Sequence, residues 1–167
     1  MGLFSFLKNS GAKILTKKNA KTIADNPEIK RMEEEILNKQ KEILLRGIVE
    51  GMGKKKVTNM SLSFDGSTAT IHGKVASQAD REKIILALGN VSGVAAVDDR
   101  LSVTKKKEPE AEFYTVKRGD SLSKIAKRFY GDPMKYKTIF EANKPMLKDP
   151  NLIYAGQVLR IPAAGKK

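Results

Sequence analysis

Between Pro27 and Gly47, apolar residues recur at helical spacing. Ile29, Met32, Ile36, Leu37, Ile43 and Leu44 share one face, which predicts an amphipathic helix. Strict alternation then takes over. MSLSF (residues 60–64), the dipeptide Asp65-Gly66 and TATIHG (68–73) predict two strands joined by a tight turn. A second helix is expected from Ser77, an N-cap residue whose capping-box partner is Asp80, three positions on. Its apolar face is Ile84, Ile85 and Leu88. The loop GNVSGV (89–94) follows, and VAAVDDRLSV supplies a last strand. The order is α-β-β-α-β.

The segment VTKKKEPEAEF (103–113) interrupts all periodicity, and its lysines, glutamates and Pro109 read as a solvated linker. Beyond it, YTVKRGDSLSKIAKRFYGD predicts a strand, a turn at Gly119-Asp120 and a helix with Leu122, Ile125, Ala126 and Phe129 on one face. Asp132-Pro133 opens a further helix reaching Asn143, because aspartate caps and proline suits the first helical position. IYAGQVLRIP gives a short strand closed by Pro162. The second order is β-α-α-β. The chain is therefore expected to be α+β, built of two small domains. The expected division is an N-terminal segment (1–27) packing on the first domain, that domain (28–104), a charged linker (105–112), the second domain (113–162) and a basic tail (163–167).

Composition narrows the chemistry. The chain lacks cysteine, which removes disulfides, thiol catalysis and Cys-type zinc sites, and it has one histidine, His72. Asp98 and Asp99 are neighbours on a predicted strand, so they point to opposite faces and cannot act as a dyad. With no Ser-His-Asp arrangement and no phosphate loop, the chain reads as a non-enzyme. The net charge of +13 is spread over both halves, +5 across residues 1–104 and +8 beyond. Without a zinc-finger spacing or aromatic RNA-binding pattern, such charge argues for solubility over specific nucleic-acid binding. The opening MGLFSFLKNS has an apolar run too short for a secretory signal, and no stretch approaches the roughly 20 apolar residues of a membrane span. A cytoplasmic monomer is expected.

Gly73 after the second strand, the helix from Ser77 and the run Val91-Ser92-Gly93-Val94-Ala95-Ala96-Val97 resemble the BON domain. YTVKRGDSL, the following IA pair and NLIYAGQVLRIP resemble the LysM domain. The whole arrangement, including MGLF-x-F-x-K at the start, is similar to the bacterial cytoplasmic potassium-binding BON–LysM proteins. That resemblance implies a sensor or buffer that binds K+ through backbone carbonyls and changes conformation. Carried over by position, the ligands are the carbonyls of Leu7, Ser10 and Ala12 with those of Gly89, Val91 and Val94.

The physical chemistry agrees with such a role. Potassium is satisfied by neutral carbonyl oxygens, whereas calcium recruits carboxylates. A glycine-rich loop turns successive carbonyls inward at low steric cost. Leu3, Phe4, Phe6 and Leu7 are expected to form a short apolar helix ended by Ser10-Gly11, whose last carbonyls face the loop. Two plainer readings stand beside this one. GNVSG is a helix cap and turn, or the N-terminal stretch is an amphipathic membrane-surface anchor. The LysM resemblance implies another function, binding of N-acetylglucosamine glycans. Its groove would be formed by Gly119, Asp120, Ser121, Leu122, Asn143, Pro145, Leu152, Ile153 and Tyr154. A protein partner docking on LysM is the other expectation there.

Overall fold

A computed structural model of the chain describes residues 2–5, 27–53, 56–105 and 110–163. The first module contains β1 (Gly2–Ser5), α1 (Pro27–Gly51), β2 (Val57–Asp65), β3 (Thr68–Val75), α2 (Gln78–Gly89) and β4 (Ala96–Val103). Its sheet runs β1-β4-β3-β2. β3 and β4 are parallel and joined through α2, while the other two pairings are antiparallel. The predicted α-β-β-α-β order is present with one strand added in front.

That added strand corrects an expectation. Gly2–Ser5 is extended, not helical, and pairs with Asp99–Ala96 of β4. The edge of β4 offers a ladder of backbone partners, which a four-residue helix start cannot match. Phe6, Leu7, Ser10 and Gly11, the rest of the expected helix, lie outside the described residues.

The remaining elements follow local rules. Ser77 Oγ accepts from the Asp80 amide at 3.1 Å and donates to Asp80 Oδ2 at 2.8 Å, which starts α2. Burial works to raise the Asp80 carboxyl, but hydrogen bonds from Lys56 and Ser77 outweigh it and hold the group below its ordinary value. Gly73 sits opposite the bulge between Thr58 and Ser61. Its φ of +145° and the lack of room, with Val57 and the Thr58 carbonyl in the way of any Cβ, require glycine.

The two helices of this module behave differently. α1 seats only Leu45 and Val49 in the core, and the face named by its periodicity is largely exposed: Met32, Ile36, Leu37, Ile43 and Leu44 all lie on the surface. α2 buries Glu82, Ile84, Ile85, Leu86, Leu88 and Gly89. A helix buried on more than one side has a neighbour on each. One neighbour of α2 is its own sheet. The other is the second module.

The second module contains β5 (Glu112–Thr115), α3 (Leu122–Tyr130), α4 (Tyr136–Ala142) and β6 (Val158–Ile161), with one 3-10 turn at Pro133–Lys135. The single expected helix is thus divided. Asp132 caps the turn by accepting from the Met134 amide at 2.8 Å, and α4 follows directly. β5 and β6 form an antiparallel pair. A separate core of Val116, Leu122, Ile125, Ala126, Ile139, Leu147, Leu159 and Ile161 holds the module together. Two cores in one chain bear out the two-domain α+β reading.

Candidate cation loop and its link to the second module

The loop after α2 is tightly organised. Asn90 N–H and Val91 N–H donate back to Leu86 O (3.0 Å) and Leu88 O (3.1 Å), closing the helix, and Val94 N–H donates to Val91 O at 3.0 Å. Gly93 has a φ of +86°, the left-handed turn that glycine permits. Val94 is buried in the first core and Val91 packs against it, so the valines anchor the loop; Ser92 and Gly93 are exposed, whereas Gly89 is buried. Gly89 ends α2, and Val91 and Val94 bracket the turn that follows, with the Val91 carbonyl taken by Val94 N–H.

A cation already touches this backbone. Lys41 Nζ, from α1, donates to Ser92 O at 2.7 Å, and an added Cβ on Gly93 would stand 3.5 Å from the same ammonium. The loop can therefore present a carbonyl oxygen to a monovalent positive group. Among the described residues, no cluster of three or more His, Cys, Asp or Glu is placed to hold a metal. The donor set at the loop is neutral oxygen, which suits a large, weakly hydrated ion better than a divalent one.

Leu7, Ser10 and Ala12 lie outside the described residues. Ser5, at the end of β1, pairs with Ala96, two residues beyond Val94.

Sequence reasoning missed Asn90, the second residue of the loop. Its side-chain amide reaches across to β6: Oδ1 accepts from the Val158 amide at 2.9 Å, and Nδ2 donates to Val158 O at 3.0 Å and to Leu86 O at 2.9 Å. Met146 Sδ lies 3.1 Å from the same nitrogen. The amide thus stands in for the peptide group of a neighbouring strand. Two residues along β6, Asn143 does the same for Arg160, accepting from its N–H and donating to its carbonyl, both at 2.8 Å. The signal was an asparagine directly after an apolar helix, LALGN and FEAN. That pattern reads as a cap, and only the fold shows what the free amide does.

Charge reinforces the joint. Glu82 of α2 is buried and receives Arg160 Nε at 2.5 Å, the Ala111 amide at 3.0 Å and Gln78 Nε2 at 2.9 Å. The rings of Phe4 in β1 and Phe113 in β5 meet edge to face, 5.3 Å between centroids. Both walls of the first module that flank the loop, β1 and α2, therefore contact the second. Asp98 and Asp99 point apart as expected, Asp98 to Arg100 and the buried Asp99 to Arg81. His72 is exposed.

Of the residues expected in a glycan groove, Asp120, Ser121, Leu122 and Ile153 line one cavity of about 380 Å³ with Ser123, Tyr136, Pro150 and Asn151. Gly119, Pro145, Leu152 and Tyr154 lie outside that lining, and Leu152 and Tyr154 are exposed. Asn143 is a correction. It is buried, and its amide is engaged by Ile139 and Arg160, so it does not face the groove. Asp120 anchors the turn instead, accepting from Tyr114 Oη and the Lys117 amide at 2.8 Å each. Burial works against its charge, but these bonds prevail and hold its carboxyl low.

This arrangement defines a two-module BON–LysM protein: the BON domain family matches residues 45–105 and the LysM domain family residues 114–162. The chain is 43% identical over 162 residues to the Potassium binding protein Kbp of Escherichia coli O6:H1, covering 97% of this chain and 99% of that protein. It belongs to the family of that protein. An uncharacterised protein of Deinococcus radiodurans is 34% identical over 124 residues, covering 68% of this chain and 48% of the relative. An endolysin of Bacillus phage B103 is 28% identical over 107 residues, 64% of this chain and 37% of the relative.

Proposed function

We propose that the chain binds K+ through backbone carbonyls of the Gly89–Val94 loop together with those of Leu7, Ser10 and Ala12, and that binding alters the joint between the modules. The observation that carries this reading is the loop itself. It is a glycine-turned backbone anchored by Val94, with one carbonyl held by an ammonium, and it leads into Ala96, the residue that Ser5 of β1 pairs with. Gly89, Val91 and Val94 are the ligands assigned here. Leu7, Ser10 and Ala12 are taken as ligands from the family resemblance, and Ser5 of β1 pairs with Ala96 two residues beyond the loop. The relative named for potassium binding supports the choice of ion.

Coupling follows from Asn90. The residue that follows Gly89 holds Val158 of the LysM strand, so a ligand that fixes the loop fixes one side of the joint. An ion that favours the assembled state stabilises it by RT ln(1 + [L]/Kd). A binding protein acting as a sensor or buffer, not an enzyme, is the corresponding role. We place it in the cytoplasm, where potassium is abundant and a cysteine-free chain is at home. Among the described residues, no helix is long and apolar enough to cross a membrane.

Calorimetric titration with KCl, with NaCl and CaCl2 in parallel, tests the ion assignment. Saturable heat with K+ and little with Na+ is expected. Gly93→Val, which forces a β-branched residue into a left-handed turn, is expected to weaken K+ binding at least tenfold while LysM stays folded. Unchanged affinity in that variant would remove the loop from the site. A second reading rests on the cavity lined by Asp120, Ser121, Leu122 and Ile153, which has the size and mixed polarity of a sugar subsite. Chitooligosaccharide binding without a potassium response would favour it.

A further inference from the structure

The apolar stripe of α1 has no place in the ion site or in either core. Ile29, Ile36 and Ile43 recur every seven residues, with Met32 between the first two. Met32, Ile36 and Ile43 are 61%, 55% and 64% exposed, and every residue from Arg31 to Leu37 is exposed. By helical geometry this stripe lies on the side of α1 opposite Leu45 and Val49, the residues seated on the sheet. It also lies N-terminal to the BON match, which begins at residue 45. The domain fold does not need it.

We infer that the outer face of α1 is a self-association surface on which a second copy of this chain docks, helix against antiparallel helix. The seven-residue isoleucine repeat is the spacing that keeps one seam facing a partner helix. Charge selects the direction. Residues 27–38 carry Glu28, Lys30, Arg31, Glu33, Glu34 and Glu35, a net −2, and residues 39–51 carry Lys39, Lys41, Glu42, Arg46 and Glu50, a net +1, with Lys41 turned to the Ser92 carbonyl and not to the outer face. Parallel pairing would set the glutamates of both copies side by side. Antiparallel pairing, with its two-fold axis near Lys39 and Gln40, brings Ile36 against Ile43 of the second copy and Glu33 beside Arg46 of the second copy. Each contact then occurs twice, as a closed two-fold interface requires. Because the stripe faces away from the sheet, both bodies remain on the outside. A specific dimer buries about 1,200–2,000 Å². The seam from Ile29 to Arg46 is one helix face on each copy, so a weak, reversible dimer is expected.

Sedimentation of the full chain across about 5 to 500 µM, in KCl and in choline chloride, is the test. The expected result is a monomer–dimer equilibrium in both salts, so that it stands or falls separately from potassium binding. Ile36→Lys with Ile43→Lys should weaken association at least tenfold, with the low-concentration circular dichroism unchanged. Glu33→Arg should weaken it, and Glu33→Arg combined with Arg46→Glu should restore it. A monomer at every concentration overturns the proposal, whether residues 6–26 of the same chain cover the stripe or water does. So does sedimentation with anionic phospholipid vesicles and no self-association, since the occupant is then a membrane surface.

Discussion

Asn90 and Asn143 make the same bonds to the same strand, yet one holds a module together and the other holds two modules to each other. Each ends a helix, and each replaces a missing strand neighbour for one peptide of β6, at Val158 and Arg160 respectively. Asn143 reaches β6 from α4 within LysM and is buried. Asn90 reaches it from BON and is half-buried. An edge strand with unpaired N–H and C=O groups is open to any strand-like partner. Here two side chains cover the two residues, so the edge of LysM is completed only when BON is docked. The difference lies in what moves with each residue. Asn143 is tied to a helix of its own core, whereas Asn90 is tied to the proposed ion loop.

The joint breaks hardest at Glu82. Glu82→Ala leaves Arg160 buried without its carboxylate, and loss of one partner of such a pair costs about 3–5 kcal/mol. A fall in thermal midpoint, with the two modules melting separately in calorimetry, is the expected outcome. Asn143→Ala comes next. It leaves the Arg160 N–H and carbonyl unpaired in a buried site, at a cost of about 2–3 kcal/mol, seen as LysM unfolding at lower urea. Asn90→Ala should cost less, about 1 kcal/mol, because Asn90 is only half-buried and water can take the place of its amide, and the isolated LysM signal should be unaffected. If the two alanine variants destabilise LysM equally, the distinction between core clamp and joint clamp fails.

Acid sharpens the comparison from the BON side. Asp80, at the start of the helix that ends at Asn90, is held below its ordinary value by Lys56 and Ser77 against the opposing effect of burial. A depressed carboxylate stabilises the fold fully above its unfolded pKa, about 3.9, and that contribution is lost as pH falls through the lower folded value. Thermal midpoints should therefore decline below about pH 4, and Asp80→Asn should flatten that decline while lowering stability at neutral pH. The smallest effect is expected at Lys41. Its ammonium repels a cation arriving at the same loop, so Lys41→Gln should tighten K+ binding about threefold at low ionic strength, and less at high salt.

Much of the fold could be read from local signals. The Ser77–Asp80 box, the Asp65-Gly66 turn, the Asp132 cap and the LysM helix face each depend on neighbouring residues, and each is present. What escaped depended on distant partners. Gly2–Ser5 has a helix-compatible composition but finds the open edge of β4. The α1 periodicity was real but pointed away from the core, because a helical stripe carries no label for the side the sheet occupies. For the site, Gly89, Val91 and Val94 were visible as a glycine-turned loop beside anchoring valines. Asn90 and the Glu82–Arg160 pair were not, since their partners stand 68 and 78 residues away.

The most direct test is a backbone amide NMR titration of the full chain with KCl against NaCl at matched ionic strength. The account predicts K+-specific shifts at Gly89–Val94 and at Val158, with the Val158 response lost in Asn90→Ala while the loop response remains. Potassium shifts that avoid the loop, or that match those of sodium throughout, would contradict it.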